Sequence, residues 1–380
     1  MNPITIIGSG FAAYQLVKSL RRSNAEVPIR IITSDKGHDY NKPDLSHVMS
    51  KKQIASDLIS IEANEFATTY NVELCSGMTV SDIQPQQKQL LANGQLFQYS
   101  SLVIATGANP FIPPITGLKE MNPITLNSLQ EFANYKNRLT NAQSIMVIGG
   151  GLIGVELGMD LALTHKTVTL VESGSRLMGR QLPELVSIKL SQSLMELGVD
   201  VRSGQTVAQI LKTDSGYQVL MENGDSLEVD DVLVCSGLAP NVALASSAGI
   251  TTQAGICVDE AMQSSVAGVY ALGDCAEHSG QVRAFLQPTV ISAAALSKTL
   301  LGERTPVIFP SMMVKVKTPC FPIQMGGVTH QTDVSRWNLD VQDDGIVAKA
   351  FDSDNVMIGF VTTQSGTAQS FPLFRMIGSQ

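Results

Sequence analysis

Two glycine-rich loops stand about 140 residues apart in this 380-residue chain. The first, Gly8-Ser9-Gly10-Phe11-Ala12-Ala13, follows the apolar run Ile4-Thr5-Ile6-Ile7. The second, Gly149-Gly150-Gly151-Leu152-Ile153-Gly154, follows Ile145-Met146-Val147-Ile148. Glycines at such a turn let the backbone approach a pyrophosphate, and a helix behind the turn offers free N–H groups and the positive end of its dipole. Alone, either loop reads equally as a tight strand-to-helix turn with no ligand. Both, however, are followed about 25 residues on by an acid, Asp35 and Glu172. An acid beyond the second strand can accept ribose hydroxyls, so the repeated pattern points to two bound dinucleotides.

The elements that would hold these residues are legible. A helical face of Ala12, Leu16, Val17 and Leu20 predicts a helix over Phe11 to Arg22, and Ile29-Arg30-Ile31-Ile32 predicts the next strand. The second loop opens a helix from Leu152 to about Thr164, and the strand Thr167 to Val171 ends at Glu172. A carboxylate there pairs with the 2′-hydroxyl of NAD and repels the 2′-phosphate of NADP. Arg176 and Arg180 keep NADP tolerance open. Two further runs, Ser101 to Ala108 with Ala105-Thr106-Gly107 and Val232 to Asn241 with Gly237, are apolar strands ending in small residues. Each returns the chain to one of the two units. Asn93-Gly94 and Asn223-Gly224 predict hairpin turns before them. Two dinucleotides in one chain suit electron transfer between a nicotinamide and a flavin.

A third signal, Val269-Tyr270-Ala271-Leu272-Gly273-Asp274, ends an apolar strand in Gly-Asp. This is a plain turn or, beside the two loops, a contact from Asp274 to a flavin's sugar-alcohol chain with Gly273 allowing close approach. A helix is expected from Val290 to Leu300. Beyond Pro306, alternating runs at 313–317, 335–341, 347–351 and 356–362 predict a small antiparallel domain.

Composition narrows the classes. The formal charge of −8 argues against a nucleic-acid partner. No segment approaches the roughly 18 continuous apolar residues of a membrane span, and the apolar N-terminus lacks the basic lead of a signal peptide; a cytoplasmic location follows. Cys75, Cys235, Cys257, Cys275 and Cys320 form no Cys-x-x-Cys pair, so they read as buried small hydrophobes. With no histidine motif either, no metal is expected.

In this order the pieces resemble the two-dinucleotide flavoprotein reductases of glutathione-reductase type. Within them, Tyr40-Asn41-Lys42-Pro43-Asp44-Leu45-Ser46-His47 is similar to the matching run of rubredoxin reductases, above all the NADH:flavorubredoxin reductases of bacterial nitric oxide detoxification. IIGSGFAA, GGGLIGVELGMDLA, YALGDCAE with FLQP, and Val314 to Pro319 carry the same likeness.

The resemblance implies an α/β fold with two Rossmann-like domains and a small α+β C-terminal domain. The FAD domain would be discontinuous, 1–112 with 240–305; the NADH domain would span 113–239 and the C-terminal domain 306–380. It implies FAD, NADH as substrate, and a rubredoxin or flavorubredoxin as electron acceptor. Gly8, Ser9, Gly10, Ala12, Ala13, Asp35, Ala105, Thr106, Gly107, Gly273 and Asp274 would serve FAD. Gly149, Gly151, Ile153, Gly154, Glu172 and Gly237 would serve NADH. Lys42 would lie near the flavin ring, its cation favouring the reduced anion, with Lys317 as a second such candidate; a surface lysine beside a proline turn is the plain reading of Lys42. Lys42, Lys315 and Lys317 would form the local basic patch an acidic iron protein requires. The region 39–50 lacks the cysteines that disulfide reductases and flavin-dependent NADH peroxidases use. A ferredoxin reductase of an oxygenase system and a non-enzymatic flavin redox sensor remain alternatives.

Overall fold

The computed structural model describes residues 2–377. They form two compact units. One comprises the segment ending at Lys42 with Ala55–Asn109 and Leu238–Phe309; the other comprises Pro43–Ile54, Pro110–Gly237 and the segment from Pro310.

The first unit is built on a five-stranded parallel sheet in the order Val269–Ala271, Ser101–Ile104, Ile4–Ile7, Ile29–Ile32 and Glu73–Cys75. Its central strands are almost continuously apolar because both faces are covered; Ile4, Ile6, Ile7, Ile31 and Ile32 are all buried. Ile7 lies opposite Ile32 on one side and Ile104 on the other. The three strands therefore end level, which sets Gly8, Thr33 and Ala105 along one edge. The helix Phe11–Ser23 buries Ala13, Leu16, Val17 and Leu20, each large side chain contributing about 1.5–3 kcal/mol, and the helix Leu286–Leu300 packs along it. That second helix starts four residues earlier than Val290. Pro288 falls within its first turn, where a missing N–H leaves no hydrogen bond unmade.

The second unit repeats the plan with a four-stranded parallel sheet, in the order Asp200–Ser203, Thr167–Glu172, Ser144–Ile148, Asp231–Val234. The helix Leu152–Ala162 follows the second glycine loop. In each unit a three-stranded antiparallel sheet is joined across the expected Asn-Gly turn, between Gln89–Ala92 and Gln95–Gln98 in one and between Tyr217–Met221 and Ser226–Val229 in the other. The C-terminal segment forms a five-stranded antiparallel sheet, in the order Met313–Val316, Ile323–Gly327, Met357–Gln364, Gly345–Phe351, Arg336–Gln342, with the helix Ser370–Ile377 against it. The strand Ile323–Gly327 escaped the sequence reading because prolines 319 and 322 precede it and two glycines end it. Among the described residues no helix is long and apolar enough to cross a membrane.

Candidate functional site

The FAD set and the NADH set fall in different units, and each is assembled within its own. In the first, Gly8 has φ +107°, and a Cβ there would stand 2.4 Å from Ala105 O. Only glycine fits this turn, because the neighbouring strand end is too close for a side chain. Gly10 caps the helix Phe11–Ser23, and Tyr14 N is the first amide to bond back, to Gly10 O at 3.2 Å. The amides of Phe11, Ala12 and Ala13 are thus left without helical acceptors. Ala13 is fully buried. A Cβ at Gly10 would meet nothing within 4 Å. An approachable backbone in front of free amides fits a pyrophosphate.

Around this cradle, the Ser9 and Thr33 hydroxyls share a hydrogen bond of 2.9 Å. Asp35, half-buried, turns one carboxylate oxygen to Lys36 N at 2.6 Å. Gly273 abuts Ala12, whose Cβ would lie 2.6 Å from a Cβ added at the glycine. The run Ala105-Thr106-Gly107 is tied down by Asn241: its Nδ2 donates to Thr106 O at 2.8 Å, its N donates to Gly107 O at 2.9 Å, and its O accepts from Thr106 Oγ1 at 3.1 Å. Lys42 Nζ lies 3.5 Å from Asp274 Oδ2. The residues expected at the flavin ring and at its sugar-alcohol chain are thus brought together as an ion pair.

In the second unit Gly149 has φ +110°, with Cys235 O occupying the place of a Cβ at 2.5 Å. Gly151 caps the helix, and Val155 N donates to its O at 3.0 Å. The amides of Leu152, Ile153 and Gly154 repeat the arrangement of the first unit, and exposed Ile153 marks the open side. Glu172 reaches the loop directly. Its Oε2 accepts from Gly150 N and its Oε1 from Gly174 N, both at 2.6 Å. The acid therefore fixes the glycine loop from the end of the strand Thr167–Glu172. Gly237 is exposed at the end of the adjoining strand segment. Burial pushes the Cys235 thiol up to about 12, which leaves it protonated and unreactive beneath the loop. All five cysteines are free thiols, but of the five expected to be buried only Cys275 is; Cys75, Cys235 and Cys257 are half-buried and Cys320 is exposed.

Lys317 also lies in the second unit. Its Nζ donates to Pro43 O at 2.6 Å and lies 3.7 Å from Asp44 Oδ1, while its N donates to Glu156 Oε1 at 2.7 Å. One turn further along the same helix, Asp160 accepts from Met49 N at 2.9 Å, Ser50 N at 3.1 Å and the Ser50 hydroxyl. Burial raises the pKa of Asp160. Glu156 and Asp160, along with Asn241, were missed in the sequence. The signal was there for the pair, since two acids one turn apart in an otherwise apolar helix must each find donors. Lys315 is exposed, and among the described residues no three metal-binding side chains gather.

Removing the Glu172 charge should relax coenzyme choice. Glu172→Ala is expected to narrow the NADH:NADPH ratio of kcat/KM by roughly tenfold or more, because opposed like charges cost upwards of a kcal/mol. An unchanged ratio in steady-state assays with both coenzymes would take Glu172 out of the ribose site.

Comparison with known proteins adds names to this geometry. Residues 2–295 match the pyridine nucleotide-disulphide oxidoreductase model, and residues 306–377 match the rubredoxin binding C-terminal domain. A nitric oxide reductase FlRd-NAD(+) reductase of Aliivibrio fischeri is 45% identical over 377 residues, covering 99% of both chains. Its namesake in Escherichia coli is 41% identical over 376 residues, again covering 99% of each. Among solved structures, a covalent putidaredoxin reductase–putidaredoxin complex superposes with a TM-score of 0.89 at 24% identity, over 100% of this chain and 93% of that one. An NAD-dependent persulfide reductase from A. fulgidus gives 0.90 at 23%, over 99% and 77%.

Proposed function

This chain belongs to the FlRd-NAD(+) reductase family of pyridine nucleotide-disulphide oxidoreductases, and on that premise we propose that it delivers electrons from NADH to the rubredoxin-type iron of a flavorubredoxin. It is an NADH-dependent oxidoreductase that uses FAD. The observation that carries the acceptor is the match of residues 306–377 to a rubredoxin-binding domain, joined to full-length relatives named for FlRd. Bound FAD supplies the conversion from a two-electron hydride to single electrons.

The chain's own residues bind and orient. The Gly8–Ala13 turn and its free amides would hold the FAD pyrophosphate, Asp35 the adenosine ribose, and Asp274 the sugar-alcohol chain. Lys42, paired with Asp274, would present a cation to the flavin. Gly149 to Gly154 with Glu172 would hold NADH in the same manner. Lys317, anchored through Glu156, stands as a second fixed cation. This reading keeps a flavin domain of 1–112 and 240–305, an NADH domain of 113–239 and a small domain of 306–380. It places the protein in the cytoplasm, where NADH is available.

The test compares acceptors side by side. With NADH as donor, reduction of a flavorubredoxin or rubredoxin should outpace that of a 2Fe–2S ferredoxin. Faster ferredoxin reduction would shift the assignment to an oxygenase-type reductase. A flavin that NADH leaves unbleached under anaerobic conditions would overturn the reductase reading altogether.

A further inference from the structure

In the first unit, the strands Ala276–His278 and Gln281–Val282, the helix Leu286–Leu300 and Phe309 border a cleft of about 20 Å3, part of it open to solvent. The enclosed part is little more than the roughly 10–15 Å3 that admits one water, so its occupant is small and sits at the open mouth. Its polar lining is His278, Gln281, Arg283, Thr289 and Ser292, and no carboxylate lines it.

Phe309 organises the two nitrogen-bearing side chains. The Arg283 guanidinium lies over its ring, 4.6 Å from the centroid, and the His278 imidazole meets the same ring edge-on at 5.3 Å and 83°. Arg283 Nη1 donates to His278 O at 3.1 Å, which fixes one arm of the fork; among the described residues its other donors meet no acceptor. His278 Nδ1 shares a hydrogen bond of 3.2 Å with the Ser279 hydroxyl, while its Nε2 is buried and unpartnered. Burial lowers the pKa of both groups; for His278 the charge of Arg283 adds to the effect, and Asp259 and Glu260 oppose it at longer range. Two half-buried nitrogen groups thus converge on one cleft with too little negative charge nearby.

We propose that this cleft binds a small oxyanion, held by the Arg283 fork and His278 Nε2. A guanidinium flattened on an aromatic ring keeps its N–H edge free for planar, charge-assisted contacts to oxygen. The assignment is independent of the NADH and rubredoxin reading, because neither Arg283 nor His278 belongs to either dinucleotide set. The cleft also touches Gly273, and Phe309 is the last residue of this unit before the chain leaves for the C-terminal sheet.

The two pyrophosphate cradles are competing anion sites, so the test uses FAD-loaded protein saturated with ADP-ribose. Inorganic phosphate is titrated by calorimetry and by phosphorus NMR line width, with acetate and chloride in parallel. Saturable binding at one site is expected, weakened about tenfold or more by R283Q and by H278N, with FAD content unchanged. Acetate displacing phosphate would identify the site as one for carboxylates as well, and chloride competing equally would overturn the oxyanion assignment. Absence of saturable binding, or equal binding by wild type and R283Q, would overturn the proposal. If R283Q fails to retain FAD, R283K gives the same comparison: a point charge in place of the fork should bind phosphate measurably less tightly, and undiminished binding would count against the site.

Discussion

Gly154→Ala should abolish efficient reduction by NADH while leaving the FAD content intact. A Cβ at this position would stand 1.8 Å from Gly149 O and 2.9 Å from Gly149 C. Both are loop backbone, which cannot swing aside as a flexible side chain would. The helix Leu152–Ala162 must therefore retreat from the loop. Overpacking of this kind costs about 1–3 kcal/mol, and where the strain falls on the cradle it corresponds to roughly 5–150-fold in NADH affinity. Anaerobic stopped-flow would show slow bleaching by NADH but normal bleaching by dithionite. Gly151→Ala makes the sharper companion. Its Cβ would meet nothing within 4 Å and its φ of −74° suits any residue. It should fold with an unchanged melting temperature and still bind NADH poorly, because its methyl projects into the space a pyrophosphate needs. Normal NADH binding by both variants would dissociate this loop from the coenzyme.

Asp274→Ala should lose FAD on dialysis. The residue sits in the short turn Gly273–Cys275 that ends the strand Val269–Ala271, and a carboxylate bonded to a hydroxyl contributes about 1.5–3 kcal/mol. Its removal should weaken FAD retention by about tenfold or more. The same change frees Lys42, whose ammonium lies 3.5 Å from Asp274 Oδ2. Asp274→Asn separates the two effects. The amide keeps an acceptor for the sugar-alcohol chain, so FAD should be better retained than in the alanine variant. The Lys42 charge is no longer balanced, so the flavin potential should rise, and this rise should shrink in a Lys42→Ala background. Full FAD occupancy of Asp274→Ala after exhaustive dialysis would remove Asp274 from the site.

How much of this was readable beforehand depended on how local the cause was. The two loops, their flanking strands and the acids Asp35 and Glu172 follow from residue type and spacing, since a turn against a neighbouring strand end requires glycine whatever surrounds it. Glu172 itself was only half legible: its place at the strand end could be read, but its bonds to Gly150 N and Gly174 N could not, because they depend on how the loop folds back. The Lys42–Asp274 pair lies 232 positions apart in sequence, beyond any periodicity. The helix starts at Leu286 and not at Val290, with Pro288 in its first turn. Pro43–Ile54 groups with residues from Pro110 onward, and the bonds from Met49 and Ser50 to Asp160 that join them are named by no local pattern.

Those two carboxylates give the helix Leu152–Ala162 a property of its own. Its first turn shapes the second glycine loop, Glu156 holds Lys317 and Asp160 holds Met49 and Ser50. Three tasks are thus set by position along one rigid rod. A single residue inserted between Gly154 and Glu156 would turn both carboxylates by about 100° and advance them by about 1.5 Å, detaching two distant segments at once. The helix therefore behaves as a gauge: outside Gly154, Glu156 and Asp160 its residue identities can drift where volume is kept, but its count from loop to Asp160 cannot.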